Sequence, residues 1–155
     1  MTTGERVDEA LRPGRDVDGS TVPALCVRVP AEPASLRVVR AHLRQWFDSA
    51  GIGADTAADL LLAVGEAASN AAEHAHDRAE NKNKNKNKVV LTVTAAATAE
   101  GVRMAVCDDG CWKPPTESPG NRGHGLRVIA ALVDTVELST TESGTTVEMI
   151  KEFTR

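Results

Sequence analysis

A chain of 155 residues with 41% hydrophobic and 26% charged side chains fits one globular domain with a real core rather than two domains. Aromatic residues are scarce, with two Trp, two Phe and no Tyr, so the core is expected to be Ala, Val and Leu, and a stacking platform for single-stranded nucleic acid is not expected. The formal charge of -4 argues against a duplex-binding surface, which leaves no direct nucleic-acid partner in the expectation.

Residues 1–22 carry Gly, Pro and charges without periodicity and are expected to be a mobile leader, with a single domain over 23–155. Met1 to Ala10 is polar and no hydrophobic stretch follows it, so no secretory signal is expected. No segment reaches the roughly 18 apolar residues of a bilayer span. Three cysteines fit a reduced, cytoplasmic setting better than a disulfide framework. Cys107 and Cys111 have no second pair to complete a metal site, and they read as ordinary thiols.

Leu25 to Val29 alternates and predicts a first strand. Pro30-Ala-Glu-Pro33 then opens a helix that runs to Ala50, with Leu36, Val39, Ala41, Leu43 and Phe47 on a mixed apolar face. Gly51-Ile-Gly53 breaks it. No strand precedes this GxG, as a dinucleotide fingerprint requires, so it reads as a turn between helices.

The next helix, Asp55 to His76, carries the segment Glu66-Ala-Ala-Ser-Asn70-Ala-Ala-Glu-His74. At 100° per residue, Ala57, Leu61, Val64, Ala68 and Ala71 share the side that faces a core. Glu66, Asn70 and His74 follow at steps of four along another face. Ala63 and Ala67 flank this polar row, and such small side chains are expected to leave room for a ligand to approach the helix.

Asn81 to Lys88 is a strict Asn-Lys alternation and predicts a solvated low-complexity loop. Val89–Thr94 and Val102–Cys107 read as strands. The segment from Trp112 to Asn121 is a loop stiffened by Pro114, Pro115 and Pro119. A helix follows Gly125, marked by Leu126, Ile129, Ala130 and Val133, and two strands close the chain at Thr135–Ser139 and Thr145–Ile150. The sum is an α+β, two-layer sandwich with helices on one face of a mostly antiparallel sheet.

Four short segments carry the chemistry, and each has a plain alternative. Asn70 offers an amide oxygen of the hard type that Mg²⁺ takes alongside phosphates and water. Glu66, one turn earlier, is placed to accept a proton from an attacking hydroxyl. An isolated Glu-x3-Asn pair, however, is more often a surface pair. Asp108 at a strand end suits the exocyclic amine of adenine, and Gly110 after it permits a close approach; alone, an Asp-Gly turn is the simpler account. Gly123-His124-Gly125-Leu126 precedes a helix, where free N–H groups and the dipole favour phosphate, or it is a flexible linker. Gly144-Thr145-Thr146 brings a hydroxyl toward the base or is a normal hairpin turn. The order of the four makes the case, and no P-loop sequence exists anywhere in the chain.

In that order the chain resembles the bacterial anti-sigma-factor serine/threonine kinases, the short stand-alone branch of the GHKL superfamily that includes histidine kinases, gyrase and MutL. The resemblance runs from about Leu25 to Phe153 and implies a Bergerat-type ATP-binding fold. Residue by residue, Glu66 resembles the catalytic base and Asn70 the Mg²⁺ ligand, while Asp108 resembles the adenine-binding carboxylate with Gly110 as its partner. Gly123, Gly125 and Leu126 match the second glycine box, with Arg122 and His124 beside them. Thr145 or Thr146 matches the adenine-side hydroxyl, and His74 falls at a position that is often polar. The resemblance implies ATP and Mg²⁺ as cofactors, a STAS-type anti-anti-sigma protein as substrate, an RNA polymerase sigma factor as second partner, and a homodimer. Trp112 departs from the family, which has glycine there. With the three prolines it motivates a rival expectation, an ATP-binding module that works by partner binding alone. No dimerisation helix bearing a histidine precedes the domain, so a complete histidine kinase is not expected.

Overall fold

In the computed structural model the described residues are 14–15, 21–81, 89–109, 122–141 and 144–153. The first strand of the main sheet, β3 (Leu25–Pro30), ends on a proline, which has no N–H to give, and the Ala31 N–H that follows still donates to the Val89 carbonyl at 2.8 Å. Ahead of it, β1 (Gly14–Arg15) and β2 (Thr21–Val22) pair as a short antiparallel ribbon, and Val22 is buried with the core. Helix α1 (Ser35–Ala50) therefore starts after the Pro30–Pro33 segment rather than within it. It buries Val39, Leu43, Trp46, Phe47 and Ala50. Gly51 stops it in the left-handed region at φ 68°, and the Ile52 N–H closes on the Phe47 carbonyl at 2.9 Å. Trp46 donates from Nε1 to the Pro23 carbonyl at 2.8 Å, which ties this helix back to the entry of the sheet.

Helix α2 (Ala54–Asn81) is longer than its periodicity suggests and takes in the first residue of the Asn-Lys repeat. Residues 82–88 lie outside the described residues. Strands β4 (Val90–Ala97) and β5 (Gly101–Asp108), helix α3 (Arg122–Leu132), and strands β6 (Thr135–Thr141) and β7 (Gly144–Glu152) complete the order. Both β4 and β5 run one to three residues beyond their predicted ends, because Ala95 to Ala97 are buried and paired despite alanine's weak strand preference.

The main sheet has the order β3-β4-β5-β7-β6, with every neighbour antiparallel. Its register puts Val93, Val106 and Val147 side by side, and Ala95, Met104 and Met149 likewise. These residues belong to the core shared with Leu43, Leu60, Val64 and Ile129 of the three described helices. This is the expected α+β architecture, a five-stranded antiparallel sheet with helices packed on one face. Among the described residues, no helix is long and apolar enough to cross a membrane.

Candidate functional site

Two ties fix which end of the sandwich holds the polar row of α2. Lys151, near the end of β7, pairs with Asp59, in the first turns of α2, at 3.4 Å. Just after α3, the Asp134 N–H donates to the Ile150 carbonyl at 2.9 Å, and the Asp134 carboxylate accepts the Glu152 N–H at 2.6 Å. The start of α2 and the end of α3 thus sit over the end of β7. From Asp59 to Asn70 the helix rises about 16 Å, and from Lys151 back to Thr145 the strand spans about 20 Å. Asn70, the first turn of α3, and the Asp108–Thr145 pair consequently collect at the opposite end.

At that end Glu66 and Asn70 are both half-buried on α2. Gly125, buried in α3, meets Asn70 so closely that a Cβ on the glycine would lie 2.5 Å from Asn70 Nδ2. On the sheet, Asp108 stands directly opposite Thr145 and is half-buried. By strand alternation both share the face of Val106 and Val147, toward the helices. Thr145 is 8% exposed, and its Oγ1 has no hydrogen-bond partner among the described residues. An orphaned hydroxyl at this depth costs stability unless something else satisfies it. Thr146, the next residue, points to the other face and donates to Cys107 Sγ at 3.5 Å. Of the two threonines, Thr145 is therefore the one whose hydroxyl is left unanswered among the described residues.

Two further residues, Asp109 and Gly144, hold this strand end in place, and no local pattern points to the first. Asp109 clasps the start of β4: its carboxylate accepts the Val90 N–H at 2.8 Å, and its own N–H donates to the Val90 carbonyl at 3.3 Å. Gly144 has φ 153°, and a Cβ there would collide with the Asp108 carbonyl oxygen. The start of β7 can lie this close to the end of β5 only with glycine at that position.

Two expectations about the site change. The Gly123–Gly125 segment does not precede its helix but forms the first turn of α3, which begins at Arg122. The free N–H groups remain, since the first four in any helix lack an internal acceptor. No acidic residue stands in that turn to answer the positive end of the dipole. Ala63 and Ala67 leave no approach to the polar row, being 0% and 3% exposed within the core. Their small size lets α2 pack closely against its neighbours instead. Gly110 and Trp112 lie outside the described residues, as do the side chains of His74, Arg122 and His124.

Residues 29–151 match the histidine kinase-like ATPase domain family. The chain belongs to that family. A solved structure, the RsbU and RsbW domains of Rv1364c from Mycobacterium tuberculosis, superposes with a TM-score of 0.68 at 28% identity. That likeness covers 88% of this chain and 34% of the other, so the chain spans about a third of the structure it matches. A histidine kinase-like ATPase domain implies ATP binding, and the fold agrees with the GHKL type. The residues present fit a nucleotide on their own terms. An orphaned hydroxyl sits beside a carboxylate at one side, and a helix start without acids meets the side-chain amide of Asn70 at the other.

Proposed function

We propose that the protein is an ATP- and Mg²⁺-dependent serine/threonine kinase that acts as an anti-sigma factor in the cytoplasm. Its substrate is a serine or threonine of a STAS-type anti-anti-sigma protein, and its second partner is an RNA polymerase sigma factor that it sequesters. The likeness to a structure containing an RsbW domain supports this choice among histidine kinase-like ATPases. The single observation that carries it is Glu66 and Asn70 one turn apart on α2, with Asn70 seated against the first turn of α3. A domain that only gripped nucleotide would need the amide but not the carboxylate.

ATP with Mg²⁺, when bound, supplies a transferable phosphoryl group whose charge the metal offsets. The protein's residues divide the remaining work. Asp108 accepts from the adenine amine, and the Thr145 hydroxyl gains the partner it lacks. Asn70 offers its amide oxygen to the metal. The first N–H groups of α3, with Arg122, Gly123, His124, Gly125 and Leu126 in that turn, hold phosphate oxygens. Glu66 takes the proton from the substrate hydroxyl as it attacks. Family resemblance supports a homodimer as the working unit.

The decisive test is Glu66→Gln, scored by ATP binding and by phosphate transfer to a STAS-type protein. A kinase keeps its affinity and loses turnover by about 10² to 10⁴-fold. Undiminished transfer would remove Glu66 as the base. Were Glu66→Gln to signal normally in the cell, the domain would act through partner binding alone.

A further inference from the structure

Gly125 meets a requirement that its own backbone does not explain. Among the described residues the glycines with positive φ are Gly51 and Gly144, so the helical conformation of Gly125 is open to any residue. Nor does it face open space. It is buried, and a Cβ added there would come 2.5 Å from Asn70 Nδ2 and 3.4 Å from Asn70 Oδ1. No other side chain stands within 4 Å of that point among the three nearest atoms, all of which belong to the Asn70 amide.

The geometry points to Gly125 as a positioning residue for Asn70: its bare Cα is the seat that fixes the Asn70 amide between α2 and α3. This rests on the reading of Asn70 as metal ligand and adds the device that aims it. The terminal torsion of an asparagine is broad, so an unsupported amide presents its oxygen in many directions. A neighbour that occupies one side of the amide restricts that spread, as supporting groups do for metal ligands generally. The same contact joins two functions. The turn of α3 that faces phosphate and the amide that faces the metal cannot move independently while they touch.

A methyl group at position 125 displaces the amide rather than the helices, since the amide is the far end of a flexible side chain. Alanine is also the better helix former, so Gly125→Ala keeps α3. Positioning and folding thereby separate. Two readouts test the seat. In the ligand-free protein, the Asn70 side-chain NH₂ resonances are assigned by their loss in Asn70→Ala and then followed in Gly125→Ala. Calorimetry of ATP with Mg²⁺, and of ATP with EDTA, is run on wild type, both single variants and the double variant.

The expected result is a displaced Asn70 NH₂ pair in Gly125→Ala with the distant backbone spectrum unchanged. The Mg²⁺-dependent part of ATP affinity falls about tenfold or more, binding in EDTA is retained, and the double variant is no weaker than Asn70→Ala. An unmoved NH₂ pair overturns the seat. An equal loss with Mg²⁺ and with EDTA shows that the methyl group obstructs the phosphate site itself rather than turning the Asn70 amide, and overturns the positioning role. If wild type binds ATP equally with and without Mg²⁺, the metal-ligand reading of Asn70 fails, and the NH₂ pair still decides the seat.

Discussion

Thr145 and Thr146 are neighbours on one strand, both buried, and they face opposite ways. On the side away from the helices, the Thr146 hydroxyl is satisfied by Cys107 within the protein. On the side toward the helices, the Thr145 hydroxyl lies beside Asp108 and finds no partner among the described residues. A second orphan, Thr94 Oγ1, lies in mid-sheet between Cys26 and Ala105, with no carboxylate in register with it. What separates Thr145 is its company at a strand end: a carboxylate across the ladder and, just before it, a glycine whose approach to Asp108 leaves no space for a side chain. One face of this strand end is closed within the protein, and the other leaves a buried hydroxyl unanswered among the described residues.

The largest blow to that contrast is Asp108→Asn. It keeps the shape and removes the charge that strengthens a hydrogen bond to adenine. The expected loss is about 2 kcal/mol, roughly thirtyfold in Kd by calorimetry. Affinity equal to wild type would mean that the base does not use this end of the sheet.

Thr145→Val and Thr146→Val sharpen the contrast at single-residue resolution. Valine at 145 removes an unpaired buried hydroxyl, so the ligand-free protein gains about 1 kcal/mol and melts about 2–4 °C higher. The same change weakens ATP binding by about 1 kcal/mol, roughly fivefold. Stability and affinity move in opposite directions, which a purely structural threonine would not produce. Thr146→Val loses only a weak bond to sulfur, so its melting point falls by less than about 2 °C and its ATP affinity stays unchanged.

Much of this was legible from residues alone. The four-residue step from Glu66 to Asn70 survives as a half-buried pair because helical periodicity is local and α2 is long. Asp108 stands at a strand end, as its place after an alternating apolar run implied. What escaped were features set by tertiary contact. Glycines at 123 and 125 argue against helix by propensity, yet α3 starts at Arg122, where packing on α2 outweighs a local cost of about 1 kcal/mol per glycine. Ala63 and Ala67 looked like clearance for a ligand. They are close-packing surface, and sequence spacing has no means of distinguishing the two. The Asp109 clasp joins residues 19 apart and leaves no local trace.

The smallest expected effect concerns Cys107, the partner that satisfies Thr146. Burial pushes its thiol above the ordinary value of 9.0; the hydrogen bond from Thr146 pulls the other way, and Glu148 and Asp108 add to the rise. A raised folded value means that the folded chain holds this proton longer than the unfolded chain does. The associated stability is fully present below the ordinary thiol value and is lost as pH rises through the folded one. Near pH 8, Cys107 should therefore alkylate behind the exposed Cys26, read peptide by peptide by mass spectrometry. Thr146→Val removes the one influence that favours the thiolate and should slow Cys107 further. Thr145→Val, on the opposite face, should leave its rate unchanged. Slowing by both variants would show that the two faces are not independent at this strand end, and the contrast between them would fail.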